Sequence, residues 1–185
     1  MSVEIKERRY VNIFFLDGPP REAKNIMLLR RASDEADYPD IYSGVGGRVE
    51  EDDEDVLEAG LRELQEEVPS YFGVTESGLI WIGTVIINPD KEDRKKINYF
   101  FLPIVGLVDP PECLVGKLEW MPIQVAIESQ QLFPDVRDML EIWSGVVNLW
   151  SDFRILLTIE RESGGALSED YSFVAHAWVP ETKKT

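Results

Sequence analysis

Residues 44–68, GVGGRVEEDDEDVLEAGLRELQEEV, decide the fold of this chain. A glycine-rich turn comes first, an acidic segment follows, and the last part carries apolar side chains at helical spacing. On an ideal helix with about 100° per residue, Glu66 and Glu67 fall about 60° and 40° either side of Glu63, so three carboxylates share one face. The stretch therefore predicts an amphipathic helix. Its apolar stripe, which we expect to pack on a core, consists of Leu57, Leu61, Leu64 and Val68.

The acidic face of this helix has the chemistry of a metal site. Three carboxylates this close repel one another unless a cation lies between them, and oxygen-only clusters suit hard divalent cations. Mg²⁺ is the predicted ion, with Mn²⁺ as the alternative. Ala59 and Gly60, one turn earlier, are small and are expected to leave the acidic face open. The competing interpretation is a solvated acidic helix face in an acidic protein.

The same residues resemble the Nudix hydrolase family, whose signature reads G-x5-E-x7-R-E-U-x-E-E-x-G-U, with U aliphatic. Residues 62–67, RELQEE, match the R-E-U-x-E-E part fully, and Glu54 lies at the required distance before Arg62. The chain departs from the signature in two places. The interval from Gly47 to Glu54 is one residue longer than the pattern, and residues 69–70 replace the closing glycine and aliphatic residue. The first departure leaves the geometry of the loop carbonyls open, whereas the second affects only the end of the helix.

The resemblance implies a Mg²⁺-dependent enzyme that hydrolyses a nucleoside diphosphate linked to another group. Arg62 is implied to hold the ligand shell by ion pairing, with Glu54 or a carboxylate one turn away as its partner. Together with Glu63 and Glu66 it forms the predicted catalytic centre. The implied metal ligands are Glu63, Glu66, Glu67 and the backbone carbonyl of Gly46.

Two carboxylates and two arginines elsewhere in the chain are further candidates. The family often adds a carboxylate from a later loop as general base, and Glu112 is the candidate here, with Glu119 as the second choice. Arg30 and Arg31 are candidate phosphate contacts. The ordinary alternative is that all four are solvated surface charges.

The nucleobase contacts are also predicted by resemblance. The segments around Trp120 and Phe133 look like the later nucleobase wall of MutT-type enzymes, so both aromatics are candidates for stacking on a base. Asp135 is a candidate for hydrogen bonding to the base edge. A core position for each aromatic and a helix cap at Asp135 are the alternatives.

Composition narrows the class of protein further. A chain of 185 residues that is 44% hydrophobic predicts a single domain, residues 1–185, with a core over about 9–145 and an extension over about 146–180. A net charge of −16 argues against binding a nucleic acid polymer. The lone Cys113 and the lone His176 exclude a disulfide framework and a multi-histidine zinc site. No apolar run is long enough to span a membrane, so the cytoplasm is the expected location.

The order of predicted elements is that of a layered α/β fold. Apolar runs predict strands at 10–16, 25–31, 79–87, 97–107 and 118–122, and a helix begins near residue 134. Alternating apolar residues in the tail predict strands at 153–160 and 171–179. We therefore expect an α/β/α sandwich with a mixed central sheet and a C-terminal β-hairpin, as the family resemblance also implies. The apolar face of the hairpin predicts packing on its own domain or on a second subunit, giving a homodimer.

Several functions remain open at this point. The preferred one is hydrolysis of nucleoside triphosphates, including oxidised purine forms, to a nucleoside monophosphate and pyrophosphate. An ADP-ribose or sugar-nucleotide diphosphatase is the enzymatic alternative, because the signature does not specify the base-binding pocket. The extra loop residue is also compatible with a module that binds nucleotides without cleaving them, although all three helix glutamates are present. A protein that dimerises through its hairpin is the third class.

Overall fold

The computed structural model describes residues 7–34, 38–71, 74–87, 94–146, 155–161 and 172–177. Two short 3-10 turns, Pro69–Tyr71 and Glu76–Gly78, connect the first helix to the fourth strand. The strands and α-helices of the described residues are, in chain order, β1 Arg8–Leu16, β2 Asn25–Arg31, β3 Tyr42–Ser43, α1 Val56–Glu67, β4 Ile80–Ile87, β5 Lys95–Pro103, β6 Gly116–Pro122, α2 Ile123–Glu128, α3 Pro134–Val146, β7 Ile155–Arg161 and β8 Ser172–Ala177.

The described strands form one mixed sheet, as predicted. β1 runs parallel to β5, and β4 runs parallel to β7, whereas the other pairings are antiparallel. β2 pairs with β6 over its whole length. On its other side β2 pairs first with β1 and then with β3, so β3 lies beside the end of β2 and leads directly into the glycine loop.

Both faces of the sheet are covered. Successive side chains of a strand point in opposite directions, so each central strand contributes to a cluster on either face. In β1, Phe14 and Leu16 belong to the core cluster that includes residues of α2 and α3. Ile13 and Phe15 belong to the cluster on the α1 side. One face of the sheet therefore carries α1 and the other carries α2 and α3, which confirms the predicted α/β/α sandwich.

Two local predictions differ from the structure. The strand predicted over 97–107 runs from Lys95 to Pro103, and it lies between β1 and β4 in the sheet. Proline has no backbone N–H to donate, so the last position of a central strand is the one where it does least damage. The helix α2 was not predicted, because six residues are too few to show a helical period.

The tail extends the sheet beyond β4. β7 pairs with β4, and β8 pairs with β7. The connection between them, residues 162–171, lies outside the described residues, as does Phe153, so the hairpin and its apolar face stay predictions. Within the described part of the chain, no helix is long and apolar enough to cross a bilayer.

Candidate active site

The orientation of α1 is set by its cap and its apolar stripe. Asp55 is the N-cap, and its Oδ1 accepts hydrogen bonds from the backbone N–H groups of Leu57 at 2.8 Å and Glu58 at 3.0 Å. Leu64 and Val68 are fully buried against the sheet. Val68 ends the helix, and Pro69 then begins a 3-10 turn, which agrees with the predicted stop.

The small residues of α1 serve close packing. Ala59 and Gly60 are buried, and a Cβ added to Gly60 would lie 3.5 Å from Leu79 Cδ1 and 3.6 Å from Ile13 Cδ1. These residues therefore lie in the buried contact between α1 and the sheet, where the space beside Gly60 would admit a Cβ, rather than leaving the acidic face open as expected from the sequence. The packing helps to fix where the three glutamates lie.

The glycine loop runs between β1 and the acidic face of α1. The backbone N–H of Ile13 donates to the Val45 carbonyl at 2.8 Å, and the N–H of Val11 donates to the Gly47 carbonyl at 3.0 Å. Gly46 has a φ of 149°, and a Cβ there would lie 2.3 Å from the Val11 carbonyl oxygen. A Cβ on Gly47 would lie 2.6 Å from Oε1 of Glu63. Only glycine fits at Gly46, because its φ is positive and the backbone of β1 lies too close for a Cβ, whereas a side chain at Gly47 would require the Glu63 carboxylate to move.

Arg62 is held by several oxygens at once. Its Nη1 donates to Oε1 of Glu63 and to Oε2 of Glu66, both at 3.1 Å. Its Nη2 donates to the Arg48 carbonyl at 2.9 Å. The guanidinium thus ties the glycine loop to two of the three helix glutamates, which supports the predicted positioning role of this residue.

The main carboxylate partner of Arg62 is Asp53. Arg62 Nε lies 3.1 Å from Asp53 Oδ1, and Nη2 lies 3.2 Å from Oδ2, a bidentate pair. The Asp53 side chain is only 5% exposed, and the hydrogen bonds from Arg62 hold the pKa of Asp53 below its usual value. Of the two partners predicted from the sequence, Glu54 is exposed, whereas a carboxylate one turn away does pair with Arg62, since Glu66 Oε2 lies 3.1 Å from Arg62 Nη1.

Asp53 also resolves the spacing of the signature. It lies six residues after Gly47, which is the interval the signature requires of its first acidic residue. The extra residue therefore lies between Asp53 and Arg62, at the start of α1, and the glycine loop keeps the length of the signature. Asp53 was not predicted from the sequence, because Glu54 lies at the right distance before Arg62. Counting forward from Gly47 reaches Asp53 instead, so spacing alone leaves both acids as candidates.

Burial shifts the protonation of two helix glutamates. Burial raises the pKa of Glu67 to about 7, although a hydrogen bond from the Gly46 N–H at 3.1 Å and the charge of Arg31 oppose the shift. Burial also raises the pKa of Glu63, against the opposing effect of Arg62. Both carboxylates lie where an additional positive charge would stabilise their ionised forms.

The residues on this face fit a hard divalent cation in their chemistry. All three are carboxylates, and the Glu66 side chain is 59% exposed, so it is free to turn. Within the described residues, no group of three acidic, histidine or cysteine side chains is already gathered around one point. The carboxylates of Glu63 and Glu66 accept hydrogen bonds from Arg62 instead, and the carboxylate of Glu67 accepts one from the Gly46 N–H.

The two candidate phosphate-binding arginines lie on opposite faces of the sheet. Leu29, two residues before Arg31, belongs to the α1-side cluster, so Arg31 lies on the α1 face. Its positive charge lowers the pKa of Glu67. Leu28, two residues before Arg30, belongs to the α3-side cluster, so Arg30 lies on the α3 face. There its Nη2 lies 2.9 Å from Asp40 Oδ1. The structure therefore brings Arg31, and not Arg30, to the glutamates.

The two candidate general bases lie in different parts of the structure. Glu112 is exposed in the loop before β6, and this loop is fastened to the end of α1 because the Leu114 N–H donates to the Glu67 carbonyl at 2.9 Å. Glu119 lies on the α3 face and accepts hydrogen bonds from Tyr42 Oη and Lys117 Nζ, both at 2.7 Å. Glu112 is therefore the candidate in the segment that contacts α1.

The candidate nucleobase residues do not form one wall. Phe133 packs on the α3-side cluster and Trp120 on the α1-side cluster, so these aromatics cannot stack on the same base. Trp120 Nε1 donates to the Val108 carbonyl at 2.8 Å. Asp135 Oδ2 accepts a hydrogen bond from Tyr99 Oη at 2.5 Å, which occupies one of the oxygens proposed for a base edge.

Comparison with known proteins identifies the family. The sequence model of the NUDIX domain matches residues 6–141, which is well over half of the chain. The chain belongs to the Nudix family. As a Nudix protein with this carboxylate face, it is a pyrophosphohydrolase. No curated protein matches the chain.

Solved Nudix structures share the fold. The E. coli ORF135 protein superposes with a TM-score of 0.58 at 19% identity, covering 80% of this chain and 95% of that one. The MutT protein from Methanosarcina mazei Go1 gives 0.54 at 19% identity, with coverage of 78% and 97%. A bifunctional NMN adenylyltransferase/ADP ribose pyrophosphatase from Francisella tularensis, complexed with AMP and a Mn ion, gives 0.53 at 16% identity, with coverage of 80% and 43%. At these identities the likeness establishes the fold and leaves the substrate open.

Proposed function

We propose that this Nudix protein hydrolyses nucleoside triphosphates, including oxidised purine forms, to nucleoside monophosphates and pyrophosphate with Mg²⁺ as cofactor. The observation that supports this most is the acidic face of α1, where Glu63, Glu66 and Glu67 lie against the glycine loop and Arg62. A negatively charged polyphosphate repels an attacking water, so hydrolysis needs cationic charge at this place.

The helix glutamates would hold the cation. Mg²⁺ supplies neutralisation of phosphate charge and a lowered pKa of bound water. Glu63, Glu66 and Glu67 are the proposed ligands, with the carbonyl of Gly46 as a fourth donor. The raised pKa of Glu67 fits this role, because a carboxylate that is costly to ionise alone gains most from a bound cation. Arg62 orients Glu63 and Glu66 from behind.

Two further residues complete the proposed mechanism. Arg31, on the same face as the glutamates, is the proposed phosphate contact, because a net charge of −16 offers an anionic substrate no general attraction. Glu112 is the proposed general base, because its loop is fastened to the end of α1 beside the metal ligands. Both roles depend on side chains that reach the substrate when it is bound.

The preference for triphosphates comes from the resemblance of the sequence to MutT-type enzymes, and a MutT protein is among the similar structures. A second candidate is ADP-ribose, because one similar structure is named as an ADP ribose pyrophosphatase. The same structure contains a Mn ion, so Mn²⁺ is the alternative cofactor.

A substrate panel tests the proposal directly. Nucleoside triphosphates, 8-oxo purine triphosphates and ADP-ribose are incubated with the purified protein in Mg²⁺, in Mn²⁺ and in EDTA, and products are separated by chromatography. We expect metal-dependent release of a monophosphate and pyrophosphate that the Glu66→Gln variant lacks. Hydrolysis of ADP-ribose alone would favour the second candidate, and equal turnover in EDTA would overturn the metal site.

A further inference from the structure

An exposed tyrosine stands in the loop that precedes β3. Tyr38 is 63% exposed, and its backbone is in the left-handed region with a φ of 55°. Asp40, two residues later, has a φ of 57°. This conformation is uncommon for a bulky residue such as tyrosine, and strained positions of this kind cluster at binding sites. An aromatic ring held out toward solvent at a conformational cost is a sign of a ligand contact.

Two contacts hold this tyrosine in place. Its ring meets the ring of Phe133 edge to face, with centroids 4.9 Å apart and an angle of 60° between the planes. Asp40 Oδ1 accepts a hydrogen bond from Arg30 Nη2 at 2.9 Å, which ties the loop to the end of β2. An edge contact leaves much of the Tyr38 ring exposed, so the ring still offers a surface on which a flat group can stack.

The aromatic pair lies one short segment away from the glutamates. The Phe133 N–H donates to the Tyr42 carbonyl at 3.1 Å, which fixes Phe133 beside β3. Tyr42 is four residues before Gly46, whose N–H bonds Glu67, so extended backbone separates the two by at most about 13 Å. A nucleotide is long enough to place its phosphates at the glycine loop and its base near this aromatic pair.

We propose that Tyr38 contacts the base of the nucleotide substrate, and that the Arg30–Asp40 ion pair positions Tyr38 for this contact. The inference rests on the proposed nucleotide hydrolysis and adds a base-contacting residue to it. It also gives Arg30 a role other than phosphate binding, since this arginine lies on the face opposite the glutamates. Stacking on an aromatic ring accepts every base, so Tyr38 contributes affinity and Phe133 shapes the same wall.

The test compares four variants with the wild type. Tyr38→Ala is expected to raise KM for the best nucleotide of the panel about tenfold, with kcat changed less than about twofold. Tyr38→Phe keeps the ring and should retain the wild-type KM. Asp40→Asn should raise KM about threefold, because asparagine tolerates the left-handed backbone but weakens the ion pair. Trp81→Ala is the matched control, because Trp81 is another exposed aromatic, 42% exposed on β4, and it should leave KM unchanged.

A binding measurement separates base recognition from a structural effect. The dissociation constants of a nucleoside monophosphate and of ribose 5-phosphate, which lacks the base, are measured in EDTA. Tyr38→Ala should weaken monophosphate binding about tenfold and leave ribose 5-phosphate binding unchanged. Equal losses for both ligands, or a KM no different from that of Trp81→Ala, would overturn the inference.

The two proposals fail in different ways. Metal-dependent turnover that is lost in Glu66→Gln but insensitive to Tyr38→Ala would refute the base contact alone. A wild-type protein that cleaves no nucleotide would refute the proposed hydrolysis. In that case the base contact stands only if monophosphate binding still depends on Tyr38, and it falls if no such dependence is found.

Discussion

Replacing Gly47 with alanine should disable the site without unfolding the protein. The added methyl group would lie 2.6 Å from Oε1 and 2.7 Å from Oε2 of Glu63, whereas ordinary contact begins at 3.4 Å. The carboxylate must therefore move by roughly 0.8 Å, and displacements of about 1 Å near reacting groups cost about a hundredfold in rate. We expect kcat for the best nucleotide to fall by about tenfold to a hundredfold.

The stability of this variant should change little. Gly47 lies outside the left-handed region, so alanine adopts its backbone conformation and restricts the unfolded chain, which stabilises by about 0.4–1 kcal/mol. The weakened contact between Glu63 and Arg62 offsets this gain by a similar amount. Steady-state kinetics and urea unfolding measure the two quantities separately.

Gly60→Ala is the matched control for this experiment. A Cβ there makes ordinary contacts of 3.5 and 3.6 Å, and alanine is the better residue inside a helix. This variant should gain about 0.5–1 kcal/mol of stability and keep its activity. Wild-type kcat in Gly47→Ala, or a loss of activity that merely follows unfolding, would refute the reasoning about Glu63.

The remaining predictions concern the carboxylates around Arg62 and α1. Glu66→Gln should lose nearly all turnover while its thermal unfolding stays that of the wild type, because the side chain is exposed and serves the proposed cation. Asp53→Asn should lower kcat about tenfold and the free energy of unfolding by about 2 kcal/mol, because it weakens the pair with Arg62. Glu54→Gln should match the wild type, and equal effects in the two variants would contradict the assignment of Asp53 as the partner of Arg62. In EDTA, the stability contributed by Glu67 should be complete below about pH 4.5 and be lost as the pH rises through about 7, because the pKa of Glu67 is higher in the folded than in the unfolded protein. Urea unfolding at several pH values should show a change of up to about 3 kcal/mol in the free energy of unfolding, and a smaller change in Glu67→Gln.

How much of the structure the sequence predicts depends on how far apart in the chain the interacting residues lie. Strands β1 and β2 and the helix α1 depend on local apolar periodicity, which is written in consecutive residues. The helix α2 and the end of β5 at Pro103 were missed, because a short helix shows no period and a strand end depends on what lies beside it. The candidate site divides in the same way: the three glutamates follow from helical spacing, whereas their partners come from other elements.

By itself, the sequence determined that α1 carries three carboxylates on one face and that a glycine loop precedes it, since both depend only on spacing along the chain. Only the tertiary structure decided which acid pairs with Arg62, because the choice between Asp53 and Glu54 depends on the path of the loop over β1. It also decided that Arg30 and Arg31 lie on opposite faces of the sheet, and that Gly60 lies in the contact of α1 with the sheet. The physical reason is that the fold brings together groups far apart in the chain, and burial and approach distances arise only from that packing.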